Sequence, residues 1–304
     1  MKFNLTQYDV GTVAGSTQEV NDLSLPISSI DAGLFFERPL ENGYQQTLEP
    51  RLYFLNVPFE DQSGTPLFDT SIPNFSVAQL FRDNRFIGGD RIGDANQLTV
   101  ALSSRILNTR SGDELLRASI GQIFYFDDRR VSLDGSVDTA NQSDMIAELD
   151  TNIGHWQGNI DLQWDTTHSE LSQENYFLHY RADSRSIFNI GYRKRLKDQQ
   201  IDIEQTDTSF VYPFNMNYSG FFRWNYSLKD NKDIDTIAGI AYDSCCWSIQ
   251  VLGQRRIQNS TSADDAYDNS ILVQFVFKGL GSLSGNKART TLEQSIYGYR
   301  DIFQ

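Results

Sequence analysis

Apolar and polar residues alternate with a period of two along most of the chain. Leu48, Pro50, Leu52 and Phe54 share one face, with Glu49, Arg51 and Tyr53 on the other. The pattern returns with Leu98, Val100 and Leu102 opposite Gln97, Thr99 and Ser103, then with Leu116, Ala118, Ile120, Phe124 and Phe126. It continues through Met145–Leu149, through Ile160, Leu162 and Trp164, and through Tyr176, Leu178 and Tyr180. Phe188, Ile190 and Tyr192 follow, then Tyr218, Phe222, Trp224 and Tyr226, and Ile234–Tyr242. The last runs are Trp247, Ile249 and Val251 opposite Ser248 and Gln250, and Ile271, Val273, Phe275 and Phe277. A period of two is the signature of half-apolar strands. With weaker runs at Lys2–Tyr8 and Ile30–Leu40, it predicts roughly fourteen strands of about 8–11 residues, the length a tilted strand needs to cross a bilayer. No amphipathic helix is predicted. Pro50 marks an edge or irregularity inside its strand, and Asn42-Gly43 signals a tight hairpin turn.

The connections sort by length. If every strand joins the next by an up-and-down hairpin, Val57–Asn96, Asp127–Ser143 and Ile257–Asn269 fall at one end. The short turns at Glu41–Tyr44, Asn108–Glu114, Thr151–Trp156, Ala182–Ser186, Tyr212–Met216 and Asp243–Cys245 fall at the other. Short turns at one end and long loops at the other is the outer-membrane pattern, periplasmic and extracellular respectively. The predicted fold class is therefore all-β, a transmembrane antiparallel up-and-down β-barrel. Tyr125, Trp156, Trp164, Tyr192, Tyr242 and Trp247 lie near strand ends, as interfacial girdles require. Glu49, Arg51, Arg105, Arg117, Glu148, Asp161, His179, Arg181, Arg193 and Arg223 sit opposite the apolar face and would line a wet lumen. A soluble β-sandwich shows the same alternation but buries its apolar face against a second sheet.

Composition narrows the choice. The 304 residues carry a net charge of -14, which argues against a nucleic-acid binder. Mean hydropathy is -0.44, and no run of about 18 apolar residues exists to make a membrane helix. A β-barrel escapes that test because its lipid-facing and lumen-facing residues average out. Met1-Lys-Phe-Asn-Leu-Thr has no signal-peptide character, which taken alone implies a cytoplasmic chain and taken with the barrel pattern implies a fragment. The two cysteines, Cys245 and Cys246, are adjacent. Neighbouring cysteines join each other only through a strained ring, so both are free or both are bridged outside the chain. The turn that holds them falls at the periplasmic end, where disulfides persist. His155, His168 and His179 lack zinc-ligand spacing. Asp127-Asp128 and Asp264-Asp265 read as solvated loop acids, and Gly279, Gly281 and Gly285 lack the strand–helix setting of a phosphate loop. No catalytic arrangement, cofactor or metal is predicted.

Asn84-Arg-Phe-Ile-Gly-Gly-Asp-Arg-Ile-Gly-Asp-Ala-Asn-Gln97 resembles a loop of the LptD family of lipopolysaccharide-assembly outer-membrane proteins. Leu48-Glu-Pro-Arg-Leu52, Val57-Pro-Phe-Glu-Asp-Gln62, Phe68-Asp69, Ser119–Phe126, the cysteine pair and Lys278-Gly-Leu-Gly-Ser282 are similar to the same family, in its order. The resemblance implies a barrel of about 26 strands behind a periplasmic β-jellyroll, in the outer membrane of a Gram-negative bacterium. Lipopolysaccharide would arrive over a periplasmic transport bridge and the jellyroll, and leave between the first and last strands. An LptE-like lipoprotein would plug the lumen. Residues 1–278 would then be the C-terminal barrel strands and loops, about fourteen of them, and 279–304 a periplasmic tail. The jellyroll and first barrel half would be missing. Cys245 and Cys246 would each bridge to a different cysteine of that missing part. Asp90, Arg91, Asn96 and Gln97 would form a luminal, plug-facing loop, with an Asp90–Arg91 ion pair helping to fold it inward. Ser270, Ile271, Val273, Phe275 and Phe277 would form the gate strand. Two other readings share the strands: a diffusion porin, and a soluble extracellular carbohydrate-binding β protein.

Overall fold

The computed structural model describes residues 2–6, 23–258, 267–278, 281–282 and 287–300. They fall into two compact units, 1–148 with 163–171, and 149–162 with 172–304.

The first unit begins with β1 (Lys2–Thr6), β2 (Leu23–Gly33) and β3 (Phe36–Leu40), and continues with β4 (Tyr44–Val57), β5 (Ala95–Asn108) and β6 (Glu114–Tyr125). Pairing is antiparallel throughout: β1 on β2, both β2 and β3 on β4, β4 on β5, and β5 on β6. β2 and β3 are one strand with a gap. Gly33 faces Arg51 and Phe36 faces Leu48, so the register runs unbroken past Leu34 and Pro50. Leu34 N–H donates to Pro50 O at 3.0 Å, and the return bond fails because proline has no N–H. The turn from β3 to β4 holds Asn42 at φ 62° and Gly43 at φ 81°. Two consecutive positive φ values make the tight turn that Asn-Gly favours.

β7 (Met145–Ile153) and β8 (Trp156–Asp165) belong in part to each unit. The second unit then runs β9 (Glu170–Arg181), β10 (Ile187–Lys197), β11 (Gln200–Pro213), β12 (Tyr218–Ser227), β13 (Lys232–Asp243), β14 (Trp247–Ile257) and β15 (Tyr267–Phe277). Each pairs antiparallel with the next. A two-residue strand, β16 (Gly281–Ser282), touches β15 at Val276 and Phe277, and α1 (Lys287–Ser295) follows.

The burial pattern is inverted relative to a soluble sheet. On β5, Thr99 is buried while its neighbours Val100 and Leu102 are 40% and 41% exposed. On β14 and β15, Ser248, Gln250 and Gln274 are buried while Val251, Ile271 and Val273 are exposed. In each unit the apolar face is bare and the polar face is covered. A water-soluble sandwich requires the opposite, whereas a membrane barrel meets lipid with its apolar face. The sheets are therefore those of an all-β, up-and-down barrel portion. Aromatic rings line the bare face of the second unit near its short turns. Tyr218 contacts Tyr242 at 4.8 Å between ring centroids, Tyr242 contacts Trp247 at 5.1 Å, and Trp247 stacks on Phe275 at 5.5 Å.

Four details differ from the sequence pattern. Helix α1 exists although none was predicted: its sequence is polar and its apolar positions number one per turn. Tyr125, expected in a girdle, shares the parity of Ile123 and packs on the covered face, with the Arg129 guanidinium 3.4 Å from its ring centroid. β11 had no counterpart among the alternating runs, because its first half, Gln-Ile-Asp-Ile-Glu-Gln-Thr-Asp, is nearly all polar. The connection expected over Ile257–Asn269 is shorter, since β14 extends to Ile257 and β15 starts at Tyr267; residues 259–266 lie outside the described residues.

Candidate functional site

In the first unit the long segment 58–94 folds back over the polar face of β4, β5 and β6. Leu80 is fully buried against Ala101 and Ile123, and Thr99 Oγ1 donates to Leu80 O at 2.9 Å. Ile92 joins a cluster with Leu23, Leu25, Tyr53 and Leu55. Polar side chains fix the loop's path. Asp90 accepts from the Phe68 and Asp69 amides at 2.8 and 2.9 Å and from Thr70 Oγ1 at 3.3 Å. The Asp69 amide, with that of Phe68 behind it, holds the Asp90 carboxyl below the usual range. Arg91 is buried and donates to both oxygens of Thr65. These two residues thus tie segment 65–70 to segment 90–91. Gln97 is buried on the covered face, while Asn96, one position away, takes the other face and donates to Asp127 at 2.8 Å.

Asp94 does most to join this loop to the next one. It accepts from Arg85 at 2.8 Å and from the amides of Arg130 and Val131 at 2.8 and 3.0 Å. Burial pushes its carboxyl upward, but the Arg85 guanidinium and the two amides outweigh that and leave it below the usual range. Beneath the loop a cavity of about 450 Å³ is lined by Glu49, Arg51, Arg105, Arg117, Glu148 and Phe81, among others. Arg105 reaches Glu49 at 3.2 Å, Arg117 reaches Glu114 at 2.8 Å, and the Arg51 guanidinium lies 3.8 Å from the Phe81 centroid. Five charged positions scattered along the sequence therefore meet in one chamber.

In the second unit the corresponding polar face carries a charge row across four strands. Arg223 bridges Asp207 at 2.6 Å and Asp235 at 2.9 Å, and Arg256 approaches Asp235 at 3.5 Å. Nearer the short turns the face becomes apolar and accepts α1. Ala288, Leu292 and Ile296 bury against Ile237, Ala241, Leu252 and Phe221. Gln274 Oε1 accepts from the Arg289 amide at 2.9 Å, in the first turn of α1, where helix N–H groups lack partners of their own.

Cys245 and Cys246 occupy the turn between β13 and β14, both exposed and both free, with sulfurs 2.9 Å apart. The hydrogen bond from its neighbour, with the Ser244 hydroxyl behind it, lowers the Cys245 thiol; the same contact raises Cys246. β15 is bonded to β14 along its whole length. Its other edge meets only β16 at Val276 and Phe277 among the described residues. Ile271, Val273, Phe275 and Phe277 lie on the bare face of that edge strand, and Ser270 lies on the covered one. Among the described residues no group of three or more His, Cys, Asp or Glu is placed to hold a metal ion.

The family model described as LPS transport system D, LptD, matches residues 1–218. The chain belongs to the LptD family. It is 41% identical over 303 residues to the LPS-assembly protein LptD of Nitrosococcus oceani, covering 98% of this chain and 40% of that protein. Identity to the protein of the same name from Xanthomonas oryzae pv. oryzae is 41% over 291 residues, 91% of this chain and 35% of that one. For Thiobacillus denitrificans it is 39% over 283 residues, 91% of this chain and 38% of the relative. The chain thus spans well under half the length of these LptD relatives.

In this LptD-family chain the sequence pattern marks the loop residues but not all their partners. Asp94, Arg85 and Gln62 lie inside the family-like stretches but receive no role from them, although Gln62 makes a two-way clamp with the backbone of Ile92, at 2.8 and 3.0 Å. Polar residues inside a long loop give no periodic signal. Ala288, Leu292 and Ile296 recur at four-residue spacing, but only two of them fall within α1, too few to mark a helical face.

Proposed function

We propose that this chain is a barrel portion of an outer-membrane translocon that assembles lipopolysaccharide into the outer leaflet. The inverted faces of an LptD-family sheet carry the reading: a lipid-facing apolar side, and a polar side lining the passage. β15 serves as the closing edge of a lateral gate, against the first strand of the complete barrel. Saccharide passes along the polar face while acyl chains leave sideways between the two strands. The chamber lined by Arg51, Arg105, Arg117, Glu49 and Glu148 faces the lumen, where an LptE-like lipoprotein plug sits. The Cys245–Cys246 turn lies on the periplasmic side, and its two thiols pair with cysteines elsewhere in the full-length protein, fixing the barrel to the jellyroll that receives lipopolysaccharide from the periplasmic bridge. Among the described residues no helix is long and apolar enough to cross a membrane.

The test is a cysteine crosslink between the Ser270–Lys278 segment and the first barrel strand of the full-length protein. Sealing that seam blocks delivery of lipopolysaccharide to the cell surface, and a reducing agent restores it. Normal delivery through a verified crosslink would sink the gate. A diffusion porin, by contrast, shows steady single-channel conductance that the crosslink leaves unchanged.

A further inference from the structure

The second unit holds a cavity of about 460 Å³ lined by His155, Gln157, His179, Arg181, Tyr297 and Arg300, with three further residues. No aspartate or glutamate lines it. That is unusual in a chain of net charge -14. The cavities over β4–β6 and at the long loops each include at least one carboxylate. Among the described residues Arg181 and Arg300 make no ion pair within 4.0 Å, so both arginines line one space with no described carboxylate beside them.

The space is built by specific contacts. Arg181 ends β9, and its backbone exchanges bonds with His155: the Arg181 amide donates to His155 O at 2.9 Å, and His155 Nδ1 donates to Arg181 O at 3.0 Å. The segment after α1 closes the opposite wall. Asn189 Nδ2 donates to Tyr297 O at 3.1 Å and to Ser209 Oγ at 3.0 Å. Both amide hydrogens being used, Asn189 Oδ1 accepts from His179 Nδ1, and the His179 Nε2 is left on the Gly298 side. Gly298 has φ +80°, and a Cβ there would lie 2.7 Å from His179 Cε1. Only glycine passes so close to the buried ring in that conformation. The passage brings Arg300 to the cavity wall. Among the described residues Nε2 of both imidazoles makes no hydrogen bond, and it donates when protonated.

We infer that this cavity is a binding site for a phosphorylated saccharide. Two guanidinium forks suit a tetrahedral phosphoryl group, which they grip through paired charge-assisted hydrogen bonds. The volume exceeds what a bare anion fills. Tyr297 is 57% exposed and offers a ring face to a sugar, and Gln157 supplies amide donors and an acceptor. A glycolipid headgroup and a free sugar phosphate share this chemistry. Assigning the ligand to the glycolipid rests on the proposed function; the anion site itself does not.

The test uses the full-length protein, with its lipoprotein partner, in detergent. Glucosamine 1-phosphate, glucosamine and inorganic sulfate are titrated by calorimetry. Glucosamine 1-phosphate binds saturably, and glucosamine and sulfate bind at least about tenfold more weakly. Arg181→Gln and Arg300→Gln each weaken binding by about tenfold or more, the loss expected of a charge-assisted contact. Gly298→Ala does the same without removing a charge, by displacing the wall, while Arg110→Gln, in the exposed turn between β5 and β6, leaves binding unchanged. Heat-modifiable migration on a gel verifies that each variant is folded. Equal binding of glucosamine and its phosphate, equal loss in Arg110→Gln, or no saturable binding overturns the site. A photocrosslinking residue in place of Gln157 separates the sources in cells. Crosslinking to lipopolysaccharide supports the glycolipid, and its absence beside intact binding in vitro overturns that source alone.

Discussion

The two units cover their polar faces in different ways. Over β4–β6 the cover is a loop held by side chains that cap backbone: Asp90 on 68–70, Arg91 on Thr65, Gln62 on Ile92, and Asp94 on 130–131. Over β10–β15 the cover is a nine-residue helix held by an apolar stripe, with one amide cap from Gln274. A polar latch is directional, so it fixes a winding path that no repeat could specify, and it depends on the charge of its carboxylates. An apolar stripe is indifferent to charge and sensitive to volume. The contrast predicts that the two covers fail under different insults.

Leu292→Ala is the sharpest way to separate them. Leu292 is fully buried, and truncating such a leucine costs about 2–5 kcal/mol. Hydrogen exchange in the full-length protein should rise at 287–300 and stay unchanged at 58–94; a rise in both would end the distinction. Asp94→Asn should act in reverse, loosening 58–94 and 126–144 by about 1–3 kcal/mol and leaving α1 protected. Acid should mimic it. The folded Asp94 carboxyl lies below its unfolded value, so its contribution is full above about pH 4 and disappears as pH falls through the folded value. Limited proteolysis of the 58–94 segment across that range checks the sign. Gln274→Ala should have the smallest effect, about 1 kcal/mol, seen as fraying of the first turn of α1 with Leu292 still protected.

How far the fold could be foreseen follows from the same contrast. Strands such as β5 and β14 were legible because their alternation is imposed by two different solvents. The Asn42-Gly43 turn was legible because few residues adopt its backbone. Asp90 and Arg91 stood out through the motif that contains them, but Thr65 and the amides of 68–70 could not be paired with them from sequence. Their partners lie about twenty positions away in irregular chain, where no period links them. α1 was missed because Lys-Ala-Arg-Thr-Thr-Leu-Glu-Gln-Ser carries two apolar residues, and its burial comes from the sheet beneath it. The cavity bounded by Arg181 and Arg300 was invisible for a related reason: it exists only once residues some 120 positions apart are docked through Asn189.

Pro50 has a consequence for mechanics. Where it faces Leu34, one of the two bonds that such a pair exchanges is absent, because the Leu34 carbonyl has no amide opposite it. A sheet creases first where a bond is missing, so bending of the β2–β3 strand concentrates between Gly33 and Phe36, while the turn after β3 stays tied to Thr109 through the Gly43 carbonyl.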